Sequence, residues 1–190
     1  MGYPPEILLE AVANGLLMGA VYGLVALGLT LVYGVLHIIN FAHGALLTLA
    51  MYAAYVAHGA FGLDPYAAMV PLAGLFFVLG YLVQRLVIGP ASRGDDSNML
   101  LVTLGLSIII ENAMLAIFRS DTMTLRLPYA MSMVEMGDVL LSLPRLIGFG
   151  VTLLVALLLF VLMTRSDTGR AIRAVAKERT GAALVGIDVA

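Results

Sequence analysis

The chain contains no cysteine. That removes disulfides, iron–sulfur clusters and thiolate-ligated zinc. It leaves the compartment open, because a membrane-embedded fold does not need disulfides. Charge is scarce: 12% of the 190 residues are Asp, Glu, Lys or Arg, and the net charge of −2 points to no class of partner. No Gly-x4-Gly-Lys-Ser/Thr loop occurs, so the chain has no phosphate cradle of that kind. Nor does it carry a Ser–His–Asp set with the access an intramembrane hydrolase requires. The opening, MGYPPEILLE, has neither a basic n-region nor a small-residue cleavage site, so it does not read as a cleavable signal peptide. Its Met-Gly start lacks Ser or Thr at position 6, which argues against myristoylation.

What the chain has instead is apolar length. It is 62% hydrophobic with a mean hydropathy of +1.03. A soluble domain of this size does not have the interior to hide that much apolar surface. The class is therefore a polytopic membrane protein. From Ala11 to Leu63 there is no Asp, Glu, Lys or Arg, a run of 53 residues. As one helix it would be roughly 80 Å long against about 30 Å of bilayer hydrocarbon, so the chain must turn within it.

Five apolar spans emerge, at about 7–36, 41–57, 66–88, 98–118 and 146–163. HGAFGLDP at 58–65 and GPASRGDD at 89–96 carry Gly/Pro/Asp turn chemistry. The segment 119–145 is too polar for a span and too apolar for a free linker, so it is expected to pack on one membrane face. Arg165, Arg170, Arg173, Lys177 and Arg179 are half of all the Lys and Arg and directly follow the fifth span. They put the tail from residue 165 in the cytoplasm. Counting back, the 89–96 loop is cytoplasmic, while 119–145 and the N-terminus are extracytoplasmic. The three arginines of 119–145 are offset by Asp121, Glu135 and Asp138, although acids count little in this rule.

Three polar or small-residue patterns stand out within the spans. Ala11, Gly15, Gly19 and Gly23 recur at steps of four, a face on which helices approach closely and one that predicts burial in a bundle. Thr103, Ser107 and Glu111 also recur at steps of four, followed by Asn112. A carboxylate inside a span must face protein or water. Either Glu111 is wetted near the membrane surface, or this stripe faces a translocation path or another helix. The turn within 11–63 is expected between Gly34 and Gly44, where His37, Asn40 and His43 can satisfy backbone groups that a broken helix leaves unpaired. The two histidines are six residues apart and no carboxylate lies near, which argues against a metal pair.

These residues also carry a resemblance. The stretch GLLMGAVYGLVALGLTLVYGVLHIINFAHGALLTLAMYAAY resembles the N-terminal signature of permease subunits of the branched-chain amino-acid ABC importers. The resemblance continues through LLVTLGLSIIIENAM and LPRL to TGRAIRAVAKERTGAALVGID, which is similar to the family's cytoplasmic coupling segment. It implies an all-α polytopic bundle of about five spans, a single permease domain over 1–190, with the coupling segment at 165–190. Asn40, His43, Thr103, Ser107 and Glu111, singled out above by chemistry and spacing, are expected to line a path or hold the helix break. The implied partners are a second permease subunit, cytoplasmic ATPase subunits, an extracytoplasmic solute-binding protein and membrane lipid, in the inner membrane. No nucleic acid and no cofactor is expected of this chain, and ATP hydrolysis is expected in a partner. Two departures accompany the match. Ala45 stands where many relatives carry an acid, and the family continues with further spans beyond position 190, so the chain is expected to be truncated.

The tail has its own logic. Ala171, Ile172, Val175, Ala182, Ala183 and Leu184 alternate with basic residues over an expected helix–turn–helix. A basic stretch after a span also fits topology and anionic-lipid contact. Gly181, Ala182, Ala183 and Gly186 add a small-residue patch that lets a short helix sit close to another backbone. The resemblance makes that other protein an ATPase subunit. Two further readings stay open: a urea or short-chain amide permease, which shares much of this signature, and a truncated membrane protein without transport activity.

Overall fold

The computed structural model describes residues 4–36, 40–91, 96–119, 121–137 and 139–187. The elements are α1 (Pro5–Leu36), α2 (His43–Phe61), α3 (Pro65–Val83), α4 (Asp96–Phe118), β1 (Met133–Met136), β2 (Val139–Ser142), α5 (Leu143–Arg165), α6 (Asp167–Lys177) and α7 (Arg179–Leu184). α3 runs on through a π-helical turn at Gln84–Ile88 and a last turn at Gly89–Ala91. Five helices among the described residues are long and apolar enough to cross a membrane: Ile7–Gly34, His43–Phe61, Pro65–Ala91, Asn98–Phe118 and Leu143–Arg165. Lipid offers backbone groups no hydrogen bonds, so such runs close their own as helices. The chain is an all-α polytopic bundle. Only 6 to 17% of each span is buried within it, leaving most apolar surface to lipid or to other protein.

The chain divides into two compact units, residues 1–37 with 126–190, and residues 38–125. In the first, α1 packs against α5 and β2, and α6 packs against both α5 and α1. The core is small: Leu17, Val139 and Leu141 are buried, with Ala13, Leu146 and Phe149 around them. β1 and β2 pair antiparallel with Val134 opposite Leu141 and Glu135 opposite Leu140, and Gly137 in the turn takes φ +65°. Val139 and Leu141 lie two apart and so share the face turned to Leu17. The hairpin lies within the 119–145 segment, to which the sequence had assigned no strands.

In the second unit, α2 packs against α3 and α4. The α2–α3 corner is built from turn chemistry. Gly62 adopts φ +65° and its N–H bonds the His58 carbonyl. Asp64 then caps α3, its Oδ1 accepting from Tyr66 N–H at 2.9 Å, with Pro65 at the first helical position. Because Gly62 closes α2 as a left-handed cap, α2 reaches Phe61, four residues beyond the expected end of the second span. Tyr52 and Phe118 stack with centroids 4.3 Å apart, joining α2 to the end of α4. Ile88 and Met99, with Val83 beside them, form the core at the other end.

The small-residue stripe of α1 differs from expectation. Ala11, Gly15, Gly19 and Gly23 are exposed, and a Cβ built on any of the three glycines would meet nothing within 4 Å. Within these residues α1 uses other positions, Ala13 and Leu17, to pack.

Candidate translocation path and coupling segment

α1 ends at Leu36 and α2 opens at His43. His37 lies outside the described residues. Asn40 shapes the start of α2 in two ways. Its Oδ1 accepts from Ala42 N–H at 3.0 Å, and its carbonyl accepts from His43 N–H at 3.2 Å. This is the local side-chain turn that Asn favours. Phe41 N–H reaches across to α4 and donates to Thr103 Oγ1 at 3.4 Å, while that hydroxyl donates to the Leu100 carbonyl at 3.1 Å. Thr103 therefore holds the start of α2 to α4. Ala42 and Ala45 are buried, so the backbone at this point is enclosed by protein. The Nε2 atom of His43 is buried and has no hydrogen-bond partner.

Thr103 and Ser107 are both buried. Ser107 Oγ donates to Glu111 Oε1 at 2.9 Å, but Glu111 itself is exposed. Helical geometry accounts for this. At about 100° per residue, steps of four advance about 40° each. Met99, Thr103, Met114 and Ser107 fall within one arc of about 80°, and all four are buried. Glu111 lies about 40° beyond Ser107, at the rim of that arc. Its carboxylate is tied to the buried face through the Ser107 hydroxyl. Asn112 is turned aside, bonding the Ile108 carbonyl at 2.8 Å. So the structure brings together Asn40, Phe41 and Thr103, and separately Ser107 and Glu111. Among the described residues no group of three or more His, Asp or Glu is placed to hold a metal ion.

The tail forms two short helices. Ser166 caps α6, its Oγ accepting from Gly169 N–H at 2.9 Å and donating to the Leu162 carbonyl at 2.6 Å. Asp167 pairs with Arg170 on the exposed side of the first turn. Gly169 is buried where α6 crosses the end of α5. A Cβ there would lie 2.3 Å from the Leu162 carbonyl oxygen, 2.5 Å from that of Met163 and 2.6 Å from Met163 Cα. Only glycine fits. Glu178 separates α6 from α7 and caps α7 through Thr180 N–H at 3.2 Å. α7 ends in a turn closed by Gly186, φ +83°, with its N–H on the Ala183 carbonyl at 3.1 Å. Of the small-residue patch, Ala182 is buried, Gly181 is half-buried, and Ala183 and Gly186 are exposed. Leu184 and Val185 beside them are 84% and 76% exposed, so the end of α7 presents an apolar tip.

Two features escaped sequence reasoning. The Ser166–Gly169 elbow was signalled by SDTG after the fifth span, a helix cap followed by a glycine where no turn is needed. The bond from Asn14 Nδ2 to the Leu140 carbonyl at 3.1 Å joins residues 126 apart, and no local pattern announces it.

The chain matches the family described as branched-chain amino acid transport system / permease component over residues 11–190. It is 32% identical over 200 residues to the high-affinity branched-chain amino acid transport system permease protein BraD of Pseudomonas aeruginosa. That match covers 97% of this chain and 64% of the relative. The LivH permease proteins of Escherichia coli K12 and Salmonella typhimurium are 27% and 26% identical, each over 95% of this chain and 62% of the relative. The chain thus spans less than two thirds of the length of these curated relatives. No solved structure matches it. With five helices fit to cross a bilayer, the chain is a multi-pass inner-membrane protein, and it belongs to the family of branched-chain amino acid transport system permease components.

Proposed function

We propose that this chain forms part of the path by which an ATP-driven importer carries branched-chain amino acids across the inner membrane. The observation that carries the reading is the family match over 11–190, which includes both the start of α2 and the tail. The α2–α4 contact supports it. A helix start held by Asn40 and Thr103 against the buried face of α4 is the kind of irregular backbone that membranes tolerate beside a cavity or inside protein. Ser107 and Glu111 extend that face with a hydroxyl and a carboxylate that a passing zwitterion can use. His43, with a buried and unbonded ring nitrogen, opens α2 three residues after Asn40.

On this reading α6 and α7 lie in the cytoplasm, and Gly181, Ala182, Ala183 and Gly186 dock on an ATPase subunit that hydrolyses the nucleotide. A second permease subunit completes the path, and an extracytoplasmic solute-binding protein delivers the cargo. The test is co-purification of the tagged chain with candidate ATPase and permease subunits, followed by solute-stimulated ATP hydrolysis. Stimulation by leucine, isoleucine or valine is the expected result. Stimulation by urea or acetamide alone would assign the chain to the amide-type cargo, and no co-purifying ATPase would overturn the reading.

A further inference from the structure

The first unit holds a cavity of about 520 Å³ at the N-terminal ends of α1 and α5, within the ~300–1,000 Å³ range of small-molecule sites. Glu10, Asn14 and Arg145 line it together with Met131, Met133 and Leu140. Two opposite charges face one space, yet they do not pair: among the described residues the ion pair is that of Arg170 with Asp167. Arg145 Nη1 instead donates to Asn14 Oδ1 at 3.3 Å. The guanidinium carries five N–H donors in all, so others remain for a ligand. Asn14 is itself fixed, its Nδ2 donating to the carbonyls of Glu10 and Leu140, each at 3.1 Å. Glu10 stands one helical turn away, about 5–6 Å between Cβ atoms. Among the described residues nothing hydrogen-bonds its carboxylate. Glu10 lies in a helix fit to cross a membrane, where a carboxylate is tolerated only facing protein or water. Here it faces the cavity.

An anion and a cation thus line one cavity without pairing, together with thioether and aliphatic surface. That combination suits a molecule that carries both charges on one carbon and an apolar side chain. We propose that this cavity is an extracytoplasmic vestibule for the zwitterion of an α-amino acid, with Glu10 facing the ammonium and Arg145 the carboxylate. Met133 and Leu140 take the side chain. The inference rests on the cargo proposed above, but on different residues from the α2–α4 contact. It adds a place where solute waits before it reaches that contact.

The test uses the 190-residue chain in lipid nanodiscs, with [14C]leucine in equilibrium dialysis. The competitors are 4-methylpentanoate, which lacks the ammonium, and 3-methylbutylamine, which lacks the carboxylate. Unlabelled leucine is expected to compete at least about tenfold better than either half-molecule, the weight of one charge-assisted hydrogen bond. Glu10→Gln should erase the advantage over 4-methylpentanoate and leave that over 3-methylbutylamine. Arg145→Gln should do the reverse, and Arg145→Lys should restore the carboxylate preference. Should both Arg145 variants fail to fold for want of the Asn14 bond, Glu10→Gln decides alone, since its carboxylate holds nothing in place among the described residues. Absence of leucine binding, or unchanged preferences in Glu10→Gln, overturns the vestibule. Leucine uptake by the assembled importer without binding here overturns the vestibule alone. Binding here without uptake supports the vestibule and overturns the transport reading alone.

Discussion

Replacing Gly169 with Ala isolates the elbow between α5 and α6. The added Cβ would sit 2.3, 2.5 and 2.6 Å from backbone atoms of Leu162 and Met163, whereas ordinary contact begins near 3.4 Å. No side chain can swing aside, because all three obstacles are main chain. The first turn of α6 must lift by close to an ångström. That also strains the Ser166 cap, whose Oγ holds Gly169 N–H at 2.9 Å. Overpacking of this kind costs about 1–3 kcal/mol, and a lost helix cap about 0.5–2 kcal/mol more. Together these loosen α6 by about 1.5–5 kcal/mol. At about 1.4 kcal/mol per tenfold, the undocked population rises roughly tenfold to a few thousandfold. Limited trypsin digestion of the purified chain reads this out at Arg170, Arg173 and Lys177, because cleavage within a helix requires local opening. Gly181→Ala is the control. A Cβ there meets only the exposed Glu178 side chain, Cγ at 3.2 Å and Cβ at 3.8 Å, and no backbone atom. Helix propensity alone makes both changes favourable by about 1 kcal/mol, so only the steric argument predicts opposite signs. Equal cleavage rates for wild type, Gly169→Ala and Gly181→Ala would refute it.

Thr103→Val should lower the unfolding midpoint of the purified chain by the equivalent of about 1–3 kcal/mol, because Phe41 N–H loses its acceptor at a part-buried contact; Thr103→Ser should recover most of it, and equal midpoints for Val and Ser would count against the staple. Asp64→Ala removes the cap on α3 at the 2.9 Å bond to Tyr66 N–H. A loss of about 0.5–2 kcal/mol in the same melting assay is expected, and no change would show the cap to be idle. Ala183→Trp, at an exposed position beside Leu184 and Val185, should abolish leucine-stimulated ATP hydrolysis while membrane insertion is kept, since a tight groove does not admit the indole; full stimulation in that variant would remove Ala183 from the docking surface.

The spans were legible because lipid leaves the backbone one solution, and apolar length alone marks where it is used. The corner at 58–65 was legible too, since Gly62 and Asp64–Pro65 carry their conformations in their chemistry. The 103–107–111 stripe was half legible. Its spacing identifies the face, but a step of four is not a full turn, and the drift that carries Glu111 to the rim shows only when Met99 and Met114 are placed beside it. The hairpin at Met133–Ser142 was missed because two strands of four residues give a weak alternation, and it is the partner α1 that turns Val139 and Leu141 inward. The cavity around Glu10, Asn14 and Arg145 had no local signature at all. It depends on residues 131 apart meeting through one hydrogen bond.

The central claim is that this chain serves the passage of branched-chain amino acids, and uptake in proteoliposomes tests it most directly. The chain would be reconstituted with its co-purifying permease and ATPase subunits, ATP supplied on the tail side, and solute-binding protein with [14C]leucine on the other. ATP-dependent accumulation of leucine, absent when this chain is omitted and competed by isoleucine and valine but not by urea, is the predicted result. Accumulation that proceeds equally well without the chain, or none with every subunit present and folded, would contradict it.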